Sequence, residues 1–272
     1  MMADHGRHAS DWQIIYLGWS GFHFHRHDEP HIFIDPPKGT CFPQDAEITI
    51  FITHGHPEHL GGSLSHVRAA SEAKRTTIVA SETVCRYLRQ QCRRGMIEFI
   101  PVTSGQKLDL PHDISFEVFA WQHMPLLPPG LGAAVRHITH IIRRFPAAWR
   151  IIRMSLKGPS GAGDMLGYLL RLSGNKNIII YGEGMHRRCR AGDVAAIGDK
   201  MPGATLLVAS EPEDLGKLPE LVLATGAFEA ILYEPHRPWR DIFDLPHTDL
   251  KTLQKAVMNK GVLAKISENA SG

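Results

Sequence analysis

An apolar stretch of this sequence continues directly into a cluster of histidines. Residues 47–53 are almost continuously apolar, which predicts a strand covered on both of its faces. The chain continues as His54-Gly-His-Pro-Glu-His, and a helix is predicted over 60–73, with the Gly61-Gly62 pair at its start. Three histidines and a carboxylate are therefore expected at the mouth of a buried strand.

Short strands and helices alternate along most of the chain. Strands are predicted over 12–16, 22–25, 31–35, 47–53, 76–80, 97–101, 107–110, 114–121, 165–172, 177–181, 205–209 and 230–233. Helices are predicted over 81–93, capped by Ser81, over 218–225 and over 249–260. Two β-rich halves flank residues 125–163, where the strand rhythm stops, and this arrangement indicates two sheets.

Composition limits the class of protein. The chain has 272 residues, of which 43% are hydrophobic, enough for a substantial core. The formal net charge is only +2, which argues against a nucleic-acid-binding protein. No secretory signal or membrane span is readable, and the four cysteines lack a paired CxxC spacing. We therefore expect a soluble cytoplasmic protein with reduced thiols.

Histidines are numerous in this chain. The informative ones are those that follow predicted strands. There are 17 histidines, most of which we expect to be ordinary surface or core residues. His123 follows the strand predicted over 114–121, and Glu183 follows the strand over 177–181. His236 follows the strand over 230–233 after Glu-Pro. Each adds one metal-binding side chain at a strand end.

The spacing inside the histidine cluster suits metal binding. His54 and His56 are two residues apart on extended backbone, so their side chains point the same way. The turn at Pro57 brings Glu58 and His59 round to a second focus. Two adjacent metal positions are therefore possible.

The cluster resembles the HxHxDH signature of the metallo-β-lactamase superfamily, with Glu58 where that family usually has Asp. The stretches Tyr16-Leu-Gly-Trp-Ser-Gly-Phe and Ile32-Phe-Ile-Asp-Pro-Pro resemble the branch that contains ascorbate-phosphate lactonase and the N-acylphosphatidylethanolamine phospholipases D. The resemblance covers most of the chain except 125–163 and about the last thirty residues. It implies an α+β fold, a single four-layer αββα sandwich over 1–272 with two mixed β-sheets and outer helices.

The resemblance also implies a set of metal ligands. It assigns His54, His56 and His123 to a first metal, Glu58, His59 and His236 to a second, and Glu183 to a bridge between them. By this resemblance Asp35 would orient the loop of residues 54–59, which we call the histidine loop, without itself binding metal. The bridge is also Glu where the family has Asp, which leaves metal spacing, number and identity open. Zinc, two ions per chain, is the first expectation, and Mn or Fe would also suit these ligands.

The implied chemistry is hydrolysis. A metal-bound hydroxide would attack an ester, lactone or phosphodiester bond of a small, phosphate-containing or lipid-like substrate. Glu183 and Glu58 are the catalytic candidates, and Glu58 becomes a general base if only one metal binds. The alternative is a weak or inactive member that acts as a binding or regulatory protein, because Glu replaces Asp at two positions.

Two other classes are disfavoured. The oxygen-reducing diiron members of the superfamily carry a carboxylate at the second histidine position, where this chain has His56, and no flavin domain follows. The nucleases of the superfamily carry an extra domain for which the chain has no room.

Residues 125–163, which we call the basic segment, differ from the rest. Its apolar residues Ile138, Ile141, Ile142, Phe145, Trp149, Ile152 and Leu156 recur at helical spacing, with Pro146 expected to kink or divide the helix. No acidic residue lies between Glu117 and Asp164. Packing of an ordinary helix on the core is slightly favoured over a flap above the metals, in which Arg136, Arg143 and also His186 could contact substrate.

The remaining histidines have ordinary interpretations. His23, His25, His27 and His31 alternate in a hairpin and are expected to be solvated rather than to bind metal. His186 and His247 lie near the strand-end clusters and compete with His236 as ligands.

Overall fold

The computed structural model describes residues 12–69, 75–92, 96–123, 130–146, 149, 159 and 161–267. Two sheets contain all the strands within these ranges. The first has the order β1-β2-β3-β4-β5-β6 and consists of β1 (Gln13–Gly18), β2 (Gly21–His25), β3 (His31–Ile34), β4 (Ile48–Phe51), β5 (Thr76–Ala80) and β6 (Ile97–Pro101). Its first three strands are antiparallel neighbours, and β3 to β6 are parallel.

The second sheet has the order β13-β12-β11-β10-β9-β8-β7. Its strands are β7 (Lys107–Leu110), β8 (Ile114–Ala120), β9 (Leu166–Leu172), β10 (Lys176–Ile180), β11 (Thr205–Ala209), β12 (Glu229–Tyr233) and β13 (Leu263–Ile266). Strands β10 to β13 are parallel, whereas β7 to β10 are antiparallel. Both sheets are therefore mixed, as the sequence predicts.

The main core lies between the two sheets. Alternation along each strand places one set of side chains inward, so that Phe22 and Phe24 of β2 meet Tyr233 of β12 and its neighbours. Phe51 of the first sheet packs edge-on against Phe116 and Tyr168 of the second. The hydroxyl of Tyr168 donates to Ile52 O at 2.7 Å and ties the sheets together just before the histidine cluster.

Helices cover the outer faces. Over the first sheet lie α1 (Pro57–Ala69) and α2 (Glu82–Gln91), packed against Ile48, Ile50 and Ile78 among others. Over the second sheet lie α4 (Ala191–Gly198), α5 (Leu218–Ala224) and α7 (Leu250–Met258). Two further helices are α3 (Leu131–Arg143) and α6 (Arg237–Phe243). The order of layers is helix, sheet, sheet, helix, which confirms the predicted αββα sandwich.

The basic segment corrects the expectation that its helix packs on the core. The structure describes it over 130–146 and at positions 149, 159 and 161–163, so Ile152 and Leu156 lie outside the described residues. Packing of the apolar side chains on the core, the favoured interpretation, is wrong for most of them. Ile141 is partly buried, but the exposed ones are Leu131, Val135, Ile138 and Ile142 of α3 and Phe145 and Trp149 after it. The predicted helix is present over Leu131–Arg143, but apolar periodicity does not reveal whether a partner surface exists.

The histidines of the hairpin, His23, His25, His27 and His31, which we call the histidine hairpin, correct a second expectation, that all four are solvated. His27 is exposed as expected, but His23, His25 and His31 are partly buried on the outer face of the first sheet. Their rings stack, and Nε2 of His23 lies 2.7 Å from Nδ1 of His31. Within the described residues no helix is long and apolar enough to cross a membrane.

Candidate metal centre

Four loops that follow strands meet at one edge of the sandwich. His54 follows β4 of the first sheet, while His123, Glu183 and His236 follow β8, β10 and β12 of the second. The two sheets are joined here because Leu166 N donates to Thr53 O at 2.9 Å, directly beside His54. Parallel strands end at the same edge, which explains why side chains far apart in the sequence converge.

Three histidines form the first group at this edge. Within the described part of the chain, ligand atoms of His54, His56 and His123 all lie within 4.8 Å of one another. Nε2 of His54 lies 2.9 Å from Nδ1 of His56. The rings of His56 and His123 have centroids 5.0 Å apart at a steep angle. Imidazoles crossed in this way direct several nitrogens at one point, the arrangement that a metal ion requires.

Glu183 lies at the centre of the remaining ligands. The residue occupies a short 3-10 turn, Gly182–Gly184, directly after β10, and it is fully buried. Its Oε1 lies 3.2 Å from Nε2 of His59 and 3.3 Å from Nε2 of His236, whereas Oε2 lies 3.3 Å from Nε2 of His123. Ligand atoms of His54, His59 and Glu183 form a second close group. One carboxylate thus contacts histidines from both groups.

Glu58 lies outside both groups. The residue is in the first turn of α1, and its Oε1 lies 3.9 Å from Nδ1 of His56. Its side chain is largely buried, with 13% exposed. This carboxylate faces the first histidine group from the side of the helix, at the distance of an ion pair rather than of a direct hydrogen bond.

Asp35 holds the histidine loop from behind, as the resemblance implies. Its Oδ1 accepts the backbone N–H of Thr53 at 2.8 Å, and its Oδ2 accepts the Thr53 hydroxyl at 2.6 Å. The same Oδ2 lies 2.8 Å from Nδ1 of His59, and both side chains are buried. Asp35 therefore fixes the residue that precedes His54 and the ring of His59 together.

His236 has an equivalent support that the sequence analysis missed. Its Nδ1 lies 2.7 Å from Oε1 of Glu211, a buried residue just after β11. Buried Arg240 of α6 donates to Oε2 of Glu211 and, at 2.6 Å, to Pro246 O. Glu211 follows a strand as the proposed ligands do, so the same signal would have found it. Arg240 carries no such signal.

Ser20 is the other missed residue. It is buried in the turn between β1 and β2, and its hydroxyl donates to Oε1 of Glu183 at 3.2 Å. The stretch Leu-Gly-Trp-Ser-Gly was recognised as part of the resemblance, without a role for the serine. A buried serine beside a buried carboxylate supplies the hydrogen bond that such a group needs.

Burial and neighbouring charges divide the histidines into two kinds. Burial lowers the pKa of His54 well below its usual value, with help from neighbouring His59, and burial also lowers the pKa of His56. Burial alone would lower the pKa of His59 too, but the carboxylates of Asp35 and Glu183 raise it to about 10. His54 and His56 are therefore neutral near pH 7, with lone pairs available to a cation.

Glu183, which is buried, and His236, which is partly buried, form an ion pair. Burial disfavours the charge on each, but their mutual attraction dominates, so that the pKa of Glu183 is held well below its usual value. The pKa of His236 is raised well above its usual value, because Glu183 and Glu211 both favour the imidazolium. A cation that took the place of these protons would meet the same carboxylates.

Tight packing of the loops sets the positions of the ligands. A Cβ on Gly62 would lie 2.5 Å from Pro36 O, so α1 approaches the Asp35 loop as closely as the backbone allows. A Cβ on Gly55 would lie 2.8 Å from Ala162 O, whose carbonyl accepts Gly55 N–H at 2.6 Å. Glycine is needed at both positions.

The other predicted site residues lie apart from the two groups. His186 is buried, with Nε2 3.0 Å from Gln122 O and Nδ1 accepting Arg188 N–H. His247 pairs instead with Glu234 and Asp241. Arg143 is exposed near the end of α3, and the side chain of Arg136 lies outside the described residues.

Comparison with curated proteins gives one partial match. No protein-family model matches the chain. A protein of Alkaliphilus metalliredigens (strain QYMF), described as a UPF0173 metal-dependent hydrolase, is 38% identical over 84 residues, which make up 29% of this chain and 35% of that protein. The chain thus spans about a third of the length of this curated relative.

Solved structures resemble the chain over nearly its whole length. The metallo-β-lactamase fold protein YhfI from Bacillus subtilis matches with a TM-score of 0.57 and 11% identity, and the match covers 93% of this chain and 89% of that one. Zn(2+)-bound PqqB from Methylobacterium extorquens matches with a TM-score of 0.48 and 12% identity, over 91% of this chain and 85% of that one. At these identities a similarity concerns the fold alone.

Proposed function

We propose that this chain, which has the metallo-β-lactamase fold, is a metal-dependent hydrolase. The observation that carries the proposal is the convergence of His54, His56 and His123 in one group, with buried Glu183 beside it. The name of the Alkaliphilus relative, a metal-dependent hydrolase, supports the same class of activity. Hydrolysis of a carbonyl or phosphoryl group is the chemistry that such a site performs best.

The donor set fits divalent ions. His54, His56 and His123 would hold a first ion, because the pKa values of His54 and His56 leave them neutral. His59 and His236 would hold a second ion, with Glu183 shared between the two positions. Imidazole and carboxylate donors favour zinc, and manganese or iron are the alternatives. Such ions would supply Lewis-acid polarisation of the scissile group and a lowered pKa for water.

Side chains of the protein would supply the general base and would orient the metal ligands. Glu58 faces the first histidine group without being part of it, so we assign it the role of general base when a single ion is held there. Asp35 and Glu211 orient His59 and His236 through Nδ1 and leave both Nε2 atoms directed at Glu183. Ser20 fixes the Glu183 carboxylate by donating to it. Glu183 would therefore keep its position when substrate enters.

The proposed substrate is a small molecule with an ester, lactone or phosphodiester bond. Arg143, exposed on α3, remains a candidate for contact with a phosphate or carboxylate group of that substrate. His186 does not, because it is buried and both of its ring nitrogens are hydrogen-bonded to the backbone. Arg136 is a candidate from the sequence alone.

The test is a hydrolysis assay on the full chain loaded separately with Zn²⁺, Mn²⁺ and Fe²⁺. Aryl ester, lactone and bis-aryl phosphodiester substrates are compared, with His56→Ala as the variant and exposed His27→Ala as the matched histidine control. We expect turnover of at least one class by the loaded protein and by His27→Ala, and its loss in His56→Ala. Stoichiometric metal binding without turnover of any class would instead support the binding or regulatory alternative.

A further inference from the structure

An exposed apolar face runs along helix α3. The side chains of Leu131, Val135, Ile138, Ile142, Phe145 and Trp149 recur at intervals of three or four residues and are between 42% and 85% exposed. The rings of Phe145 and Trp149 stack on each other with centroids 6.2 Å apart. We call these six side chains the α3 apolar face. Four of these side chains belong to α3, and Phe145 and Trp149 follow its end. Large exposed apolar side chains at such spacing are the kind of surface that marks an interaction site.

The basic segment itself contributes charge of one sign, and Asp244 from outside it pairs with Arg144. Arg143 and Arg144, at the end of α3, are both exposed. The sequence adds Arg136, Arg150, Arg153 and Lys157, and it has no acidic residue from 118 to 163. An apolar helix face bordered by arginines is complementary to a surface that is apolar beneath a layer of negative charge.

The described residues of the basic segment contact the loops of the candidate metal centre at two places. It begins just after His123, and its last residues contact the histidine loop through the hydrogen bond from Gly55 N–H to Ala162 O. Between these ends, Arg144 lies 3.8 Å from Asp244, which follows α6 and the His236 loop. Whatever binds the α3 apolar face is therefore held close to the loops that carry the metal ligands.

We propose that the α3 apolar face binds to the surface of an anionic phospholipid bilayer. The face would enter the headgroup boundary, and the arginines would contact lipid phosphates. With 13 residues α3 is too short to span a bilayer, so it would lie in the plane of the interface. This proposal does not depend on the hydrolase activity.

A second copy of the chain fits the face less well. A symmetric dimer brings the same patch of both subunits together. Arg143 of one copy would then lie near Arg143 of the other, and the described residues of α3 include no acidic side chain to offset this repulsion, since Asp244 pairs with Arg144. Anionic lipid headgroups offset the same charge, which is why the bilayer is preferred.

The test uses the full chain and vesicles of two compositions. Sedimentation with phosphatidylcholine vesicles is compared with sedimentation with phosphatidylcholine mixed with phosphatidylglycerol. We expect binding to the mixed vesicles that weakens as salt is added, because the attraction between arginine and lipid phosphate is screened. We also expect the emission of Trp149 to shift to the blue on binding, and Trp149→Phe to lose that shift.

Two variants of equal exposure make the test specific. Ile142 and Phe228 are each 65% exposed, but Phe228 precedes β12, at the far end of that strand from the metal centre. Ile142→Glu is expected to lower the partition coefficient roughly tenfold or more, since it removes the transfer of one large apolar side chain. Phe228→Glu is expected to leave it unchanged.

Three results would overturn the proposal. One is the absence of binding to the mixed vesicles, and another is an equal loss of binding in Ile142→Glu and Phe228→Glu. The third is a stable dimer in sedimentation velocity that Ile142→Glu converts to monomer, which would assign the face to a second copy. None of these results depends on turnover, so the hydrolase proposal is tested separately.

Discussion

Oδ2 of Asp35 lies 2.8 Å from Nδ1 of His59, and both side chains are fully buried. Glu211 and His236 repeat this relationship on the opposite sheet, at 2.7 Å. In both pairs the second ring nitrogen lies close to Oε1 of Glu183. Each sheet thus contributes one histidine whose orientation is fixed by a carboxylate behind it, and this symmetry leads to the first two predictions.

Replacing Asp35 by Asn should weaken metal binding. The carboxylate accepts from Thr53 N–H, the Thr53 hydroxyl and His59, and an amide has only one oxygen with which to accept. We expect zinc affinity to fall about 10- to 100-fold in a competition titration against a chelating dye. The exposed Asp28→Asn provides the control. Equal affinities in the two variants would show that Asp35 does not support the site.

Replacing Glu211 by Gln should weaken the second metal position selectively. Glu211 contacts both His236 and Arg240, whereas Glu213 contacts the same arginine at 3.3 Å but not the histidine. We expect Glu211→Gln to lower the affinity for the second equivalent of zinc about tenfold, measured by isothermal titration calorimetry. Glu213→Gln should retain it. A loss of the same size in both variants would mean that the effect comes from Arg240 alone.

The Glu58→Gln variant distinguishes between two roles for Glu58, that of a general base and that of a metal ligand. A base supplies a factor of about 10² to 10⁴ in rate, so kcat should fall by at least about 10² while the metal content is retained. The matched control is Glu82→Gln, which changes the acidic residue in the first turn of α2, away from the site. Loss of metal in Glu58→Gln would return Glu58 to the ligand set that the resemblance implies.

The histidine hairpin should make stability sensitive to acid. Burial, with His31 and His25 nearby, lowers the pKa of His23 from 6.5 to about 4. Above pH 6.5 the residue is neutral in both states, but between pH 6.5 and 4 only the unfolded chain takes up the proton. The free energy of unfolding therefore decreases as the pH falls through this window.

His23→Phe tests this prediction, because the ring stacks on Phe33 with centroids 4.3 Å apart and a phenyl ring preserves the stacking. Urea unfolding at pH 7 and pH 4.5 should show a smaller loss of stability in His23→Phe than in the unchanged chain. Exposed His27→Phe serves as the comparison and should keep the original pH dependence. An unchanged loss in His23→Phe would contradict the lowered pKa.

The strands of the sandwich could be predicted well because buried strands have strong composition signals. The bounds of β5, β6, β7 and β11 agree with the sequence prediction at both ends. In contrast, α4, α6 and β13 were missed. The sequence of α4 includes two glycines, and β13 is an edge strand whose Leu263 is half exposed, so neither shows the periodicity of a covered element.

Helix capping shows the limit of local sequence signals. Ser81 precedes α2 at the predicted position, but its hydroxyl makes no capping hydrogen bond. Asp249, predicted as part of the last helix, is instead its cap and accepts the N–H of Thr252. Whether a side chain caps a helix depends on its rotamer, which is set by the residues packed around it.

The sequence predicted the candidate metal ligands, but it did not predict the residues that hold those ligands in place. A dense motif and strand ends suffice to indicate His54, His56, His123 and Glu183, which the structure brings together. Arg240 comes from a helix that was not predicted, and its role depends on packing against Glu211. Sequence spacing cannot reveal a contact of that kind, because it is set by how α6 docks on the second sheet.

Loss of zinc binding in a double variant is the decisive test of the metal centre. Equilibrium dialysis against Zn²⁺, with metal measured by inductively coupled plasma mass spectrometry, compares the unchanged chain with His54→Ala/His123→Ala. His25→Ala/His31→Ala, from the hairpin, controls for the loss of two histidines, and circular dichroism verifies that each protein is folded. We predict at least one tightly bound ion per chain that only His54→Ala/His123→Ala loses. Binding that survives in that variant, or no binding by the unchanged chain, would contradict the proposed metal centre.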